Sequence, residues 1–194
     1  MTPRNRMAPG YWEMLTSCAM ARLSLESALL VEVPEAEPAV AVHRELLDPN
    51  AALGIPAHIT VLTPFMSPET IGPAALGNLE RLFAGVRRFR FELAHTDWFG
   101  DEVLWLAPLD PAPFRALTQC VYEAFPAFPP FEGRHDDVKP HLTVGIGHPV
   151  KDMRAAEQSV QEHLPVKAAA VAVTLMTEQS AGGQWARAAR FSLA

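Results

Sequence analysis

Hydrophobic and polar residues alternate in "RFRFEL", with Phe89, Phe91 and Leu93 on one face and Arg88, Arg90 and Glu92 on the other, which predicts a half-buried strand with a solvated basic face. Unbroken apolar runs predict further strands in "SALLVEV" (27–33), closed by Pro34, in "EVLWLAPL" (102–109), in "AVAVTLM" (170–176), and in "ARFSLA" after a turn at Gly182 and Gly183. Between them the spacing becomes helical. Val42, Leu46 and Leu47 mark one helix in "PAVAVHRELL". Leu79, Leu82, Phe83 and Val86 mark a second, with Ser67 and Pro68 as its opening and Gly72 and Pro73 interrupting its first turn. Phe114, Leu117, Val121 and Phe125 follow Pro111, and Met153, Ala156, Val160 and Leu164 precede Pro165.

Two remaining strands break the apolar rule in the same way. "PAHITVLTPF" holds His58 and Thr60, and "KPHLTVGIGHP" holds His141 and Thr143. With these in place each half of the chain reads strand, helix, histidine strand, helix, strand, over roughly 27–100 and 101–194. Few other residues match, so element order and motif are repeated rather than sequence. The expected fold is α+β, with two lobes related by a pseudo-two-fold axis. No Gly/Ser tract divides the halves, so one bilobal domain is expected over 25–194. Residues 1–24 read as a disordered leader, since Glu13 and polar neighbours interrupt what a signal peptide would need as an apolar region.

Composition then removes several classes. Of 194 residues, 49% are hydrophobic and 20% charged, ordinary globular values, and no run is long enough to span a membrane. A net charge of -6 argues against a surface that grips long nucleic acid, though not against a pocket for a small anion. Cys18 and Cys120 are too few for a disulfide framework or a zinc site and fit a reducing cytoplasm; Cys120 falls on the apolar side of its helix and is expected as a core thiol.

Alternate side chains of a strand share a face, so His58 points with Thr60, and His141 with Thr143. If the two strands meet near the pseudo-axis, two imidazoles and two hydroxyls converge. That set suits phosphodiester chemistry without a metal: one imidazole takes a proton, the other gives one, and the hydroxyls hold phosphoryl oxygens. A single such histidine reads more readily as a packed structural residue; the pairing at corresponding places favours function. Two other classes stay open: a nucleotide or RNA-end binding protein without catalysis, and a metal hydrolase using His58, His141 and His148, which lacks an acidic residue beside either motif.

"HITVLTPF" and "PHLTVG" resemble the paired H-x-[ST]-x motifs of the 2H phosphoesterase superfamily, most of all its bacterial 2′-5′ RNA ligase-like members. The resemblance runs from about Ser27 to the end of the chain. It implies two antiparallel sheets flanking a central cleft with helices outside, and metal-independent, cofactor-free work on 2′,3′-cyclic phosphates or 2′-5′ linkages of RNA ends or small nucleotides. His58 and His141 would be acid and base, in that order, and Thr60 and Thr143 phosphate ligands. Relatives often carry an arginine shortly after the second motif, where this chain has Gly145 and Gly147; the nearest basic groups are Lys139 and Arg134. His148 is placed to edge the cleft. Phe131, with Phe128, in the proline-rich "FPAFPPFEGRHDDVKP", and Trp98 with Phe99 before Gly100, are candidates to stack on a base. The partner expected is a nucleotide or RNA-end phosphate, and the protein a monomer.

Overall fold

The computed structural model describes residues 25–133 and 139–194, so the leader and Arg134 lie outside the described residues. The chain runs β1 (Ser27–Glu32), α1 (Glu37–Leu47), α2 (Pro49–Ala52), β2 (His58–Leu62), α3 (Pro73–Ala84), β3 (Phe89–Phe99), β4 (Val103–Pro108), α4 (Ala112–Ala124), β5 (Leu142–Ile146), α5 (Val150–Gln161), β6 (Val166–Ala170), β7 (Ala172–Glu178) and β8 (Trp185–Ser192). The strands form two four-stranded antiparallel sheets, in the order β2-β1-β7-β8 and β5-β4-β3-β6. The sheets flank a central cleft and the helices lie outside, the α+β architecture expected. The histidine strands β2 and β5 are the edge strands of their sheets, and they pack against each other.

Each sheet buries one face under helices and turns the other to the cleft. Leu29, Val31, Ile59, Val61, Val173, Leu175 and Phe191 of the first sheet join Leu104, Leu106, Leu142 and Val144 of the second in one core. The helices that cover these faces are exchanged. α1, which leaves the first sheet, packs on β5 of the second beside α5; α4, which leaves the second sheet, packs on β2 of the first beside α3. Thr118 of α4 donates to the Val61 carbonyl at 2.8 Å, fastening that helix to a histidine strand. Gly145 allows the other crossing. A Cβ there would lie 2.9 Å from the Leu47 Cβ of α1 and 2.8 Å from the Met153 Sδ of α5, so only hydrogen fits between strand and helices.

Several elements differ from the sequence reading. "AVAVTLM" belongs to two strands: β6 pairs with β3 in the second sheet, and after Val171 the chain crosses to pair β7 with β1 in the first. Alanine is a poor strand former, and Ala168–Ala170 gave β6 no local signature. Ser67 and Pro68 open only a 3₁₀ turn, Pro68–Thr70; the helix begins at Pro73, whose fixed φ suits a first helical position. β3 runs on from "RFRFEL" to Phe99, with an irregularity between Leu93 and His95, and α4 stops before Phe125. Cys120 is half-buried at the margin of the core rather than within it, and burial and the nearby Glu123 both push its thiol pKa up.

Candidate active site

His58 opens β2 and His141 directly precedes β5, and the same local bond holds each ring. His58 Nδ1 lies 2.7 Å from the Pro56 carbonyl, and His141 Nδ1 lies 2.7 Å from the Lys139 carbonyl. A carbonyl oxygen only accepts, so each Nδ1 carries the hydrogen, and each Nε2 is left to take or give a proton. Thr60 and Thr143 lie two residues on, on the same faces, half-exposed. The two rings sense one another: the charge of His141 is among the influences that depress His58. Among the described residues no group of three or more histidine, cysteine or acidic side chains is gathered for a metal ion.

Electrostatics keep both rings neutral in the free protein. Burial is the largest influence on His58. The bond to Pro56 opposes it, Arg44 adds to it, Asp48 opposes it, and the balance brings the pKa down to about 4. Burial likewise lowers His141, against the bond to Lys139. Arg44 and Asp48 form a buried ion pair, 3% and 2% exposed, with Arg44 Nη2 2.9 Å from Asp48 Oδ2 and also donating to the Ile55 carbonyl at 3.1 Å. The pair joins the end of α1 to the segment that enters β2.

The rest of the His58 wall is polar. Glu32 stands opposite His58 across β1 and β2 and receives two bonds from Arg187, Nε to Oε1 at 3.0 Å and Nη2 to Oε2 at 2.7 Å. Thr174 Oγ1 donates to the same carboxylate at 2.6 Å. Burial tends to raise the Glu32 pKa, but these bonds and the charges of Arg187 and Arg190 outweigh it and hold it below the ordinary value. The His141 wall is aromatic. Phe99 stacks on Trp105 with centroids 4.8 Å apart, and both meet His141 edge-on, at 5.0 and 5.6 Å. Trp105 is 4% exposed, and its buried indole N–H has no hydrogen-bond partner among the described residues.

Of the residues singled out from sequence, the structure thus gathers His58, Thr60, His141, Thr143 and Phe99. Trp98 lies on the other face of β3, where its Nε1 donates to Glu157 at 2.9 Å and Arg154 covers its ring at 4.3 Å; it is not beside Phe99 in the cleft. Burial tends to raise Glu157, but the bonds from Trp98, Arg154 and Thr96 keep that carboxylate below its ordinary value. Phe131 lies in the loop after α4, its backbone N–H bonded to the Thr63 carbonyl at 2.7 Å and its φ in the left-handed region at 50°. Phe128 anchors that loop on Phe65, centroids 5.3 Å apart. Lys139 serves His141 through its carbonyl while its side chain is exposed, and His148 is exposed in the turn after β5. Sequence reasoning missed Glu32, Arg187, Arg190 and Trp105. Strand alternation within "VLWLAPL" puts Trp105 on one face with Val103 and Ala107, a usable signal; the arginines meet Glu32 only through the sheet.

A match to the family model for the 2′-5′ RNA ligase superfamily spans residues 30–182. The chain belongs to that superfamily. No curated protein matches it in sequence. Among solved structures of similar fold, E. coli LigT complexed with 3′-AMP has a TM-score of 0.58 at 16% identity, covering 88% of this chain and 98% of LigT. TT0787 of Thermus thermophilus gives 0.56 at 19% identity, covering 87% and 97%. LigT complexed with NADP+ gives 0.55 at 16% identity, over the same shares as the 3′-AMP complex. Those two LigT structures hold nucleotides, and none of this chain's described helices is long and apolar enough to cross a membrane.

Proposed function

We propose that this protein is a metal-independent phosphoesterase that opens a 2′,3′-cyclic phosphate or 2′-5′ phosphodiester of an RNA end or small nucleotide, with His58 and His141 as acid and base. The observation that carries the reading is the matched pair of Nδ1 bonds, which leaves two Nε2 atoms of like tautomer in neighbouring edge strands. One Nε2 removes a proton from water as its oxygen bonds to phosphorus. The other protonates the ribose oxygen as the P–O bond breaks, and the water's oxygen remains on the phosphate. Thr60 and Thr143 donate to the phosphoryl oxygens, whose charge grows in the transition state. A bound phosphate supplies negative charge that raises both ring pKa values and so creates the acid that the free protein lacks. The LigT complex with 3′-AMP, a nucleotide with a phosphate on the ribose, supports this substrate class.

A second reading rests on that depression: two rings neutral in the free protein describe equally well a site that binds a nucleotide and leaves it intact. Turnover decides between them. Incubation with 2′,3′-cyclic nucleotides, 2′-5′ dinucleotides and cyclic-phosphate RNA ends, with chelator present, is expected to convert the attacked phosphodiester to a phosphomonoester at a rate that follows a bell against pH. Tight binding of all three without product makes the protein a binder. Activity lost in chelator and restored by zinc or manganese overturns the metal-independent mechanism.

A further inference from the structure

We propose that the first sheet carries a second anion subsite, centred on Arg190 with Arg187 beside it, so that the substrate is a nucleotide bearing another phosphate besides the one under attack. The inference rests on the phosphoesterase reading for the first phosphate and on register for the second. Thr60, Leu30, Thr174 and Arg190 form one row across β2, β1, β7 and β8, each paired with the next. Facing residues share a face, and the neighbours of this row, Val173, Leu175 and Phe191, point into the helix-covered core. Arg190 therefore stands on the same wall as Thr60, with Cα atoms about 14 Å apart across three strand spacings.

Two features make this wall a receptor rather than a scatter of surface charge. Arg187 is held by both oxygens of Glu32, which fixes its fork beside the His58 row and matches its charge. Arg190 is close enough to Glu32 to depress that carboxylate, yet it forms no ion pair among the described residues and leaves its donors for a ligand. Around Glu32 two guanidiniums thus face one carboxylate, in a chain whose net charge is -6; Glu178, further along the same face of β7, is held by the Glu26 N–H. Beneath the row Leu30, Ala28 and Met176 close into a buried cluster with Ile55 and Trp185, which gives the arginines a rigid backing. The second phosphate can be the terminal group of a small nucleotide or the next phosphodiester of an oligonucleotide; both present the same oxygens.

The test is equilibrium binding by calorimetry at low salt, with adenosine 3′-monophosphate, adenosine 3′,5′-bisphosphate and the 3′-phosphorylated dinucleotide ApAp as probes. The wild-type protein is expected to bind at least one two-phosphate ligand about tenfold or more tightly than the monophosphate. In Arg190→Gln that ratio falls to within about twofold, and Arg190→Lys keeps part of it. A preference for the bisphosphate alone marks a small-nucleotide site; one for ApAp alone marks an RNA-end site. A wild-type ratio near one, or a ratio that Arg190→Gln leaves intact, overturns the second subsite and leaves the two-histidine reading standing. Absence of turnover of 2′,3′-cyclic nucleotides by the wild-type protein, whatever this ratio, sinks the phosphoesterase reading instead.

Discussion

In the first sheet Glu32 stands opposite His58 and Leu30 opposite Thr60. In the second, Trp105 stands opposite Thr143, and the same β4–β5 register carries Ala107 to the place opposite His141. The two halves of the site thus share the ring, its tautomer and its hydroxyl partner, while the cross-strand neighbours are a carboxylate and a branched aliphatic chain on one side and a methyl and an indole on the other. What is kept is what proton transfer and phosphate binding require. What differs fits a substrate with unlike sides: the Glu32–Arg187 wall suits charged and hydroxyl groups, and the Phe99–Trp105 wall suits a flat apolar ring.

The sharpest way to break the likeness is to remove the rings one at a time. His58→Ala and His141→Ala should each lower turnover on the order of 100- to 10,000-fold with folding retained, and the double variant should lose less than the product of the two. A single-variant loss below tenfold for either ring means that the halves do not share the chemistry.

The hydroxyls come next. Thr60→Val and Thr143→Val should cost roughly 10- to 1,000-fold in turnover, and serine at either place should restore much of it. Unchanged rates in both valine variants return the threonines to packing.

Acid stability probes the shared burial. A ring that is neutral in the folded protein but protonated below about pH 6.5 when unfolded gives the unfolded state more protons at acid pH, so stability falls as pH drops. For His58 the loss runs from about 6.5 to the folded value of about 4 and then levels off. Urea midpoints measured across this range should fall less steeply in His58→Gln, and His141→Gln should flatten the curve in the same sense. A slope the same in wild type and both variants places neither ring in the buried state described.

The smallest effect is expected at Trp105. Removing its unpartnered N–H gains back roughly 1–3 kcal/mol of desolvation, which offsets the packing lost on going to phenylalanine. Trp105→Phe should therefore stay within about 1 kcal/mol of wild type in denaturant unfolding. A much larger loss would mean that the indole N–H has a partner in solution.

Much of this was legible in the chain because period-two and period-3.6 patterns are local. His58 with Thr60 and His141 with Thr143 could be put on common faces from spacing alone, and the repeat of element order could be read around them. Phe99 was singled out with Trp98 by its place before the turn at Gly100. Its neighbour Trp98 could not be sorted from it, since which face of β3 meets α5 depends on residues some sixty positions away, among them Glu157. β6 was hidden by alanines, whose sheet position comes from pairing with Phe89, Phe91 and Leu93 rather than from propensity. Glu32, Arg187 and Arg190 lie at opposite ends of the chain and become a wall only when β7 joins β1 to β8. The close approach of α1 and α5 to Gly145 is likewise a packing limit that no local pattern reveals.

The exchange of α1 and α4 between sheets has a consequence for how the polypeptide matures. β1 and β2 are made early, yet their sheet is completed by β7 and β8 near the far end of the sequence, and its helical cover includes α4 from the second half. A nascent chain that has emerged only as far as β3 carries β1 with its β7 side unpaired and α1 without the strand it is to cover. Contacts this distant in sequence close slowly. Folding of the first sheet therefore waits on translation, and the exposed edge of β1 must be kept from other chains until β7 arrives.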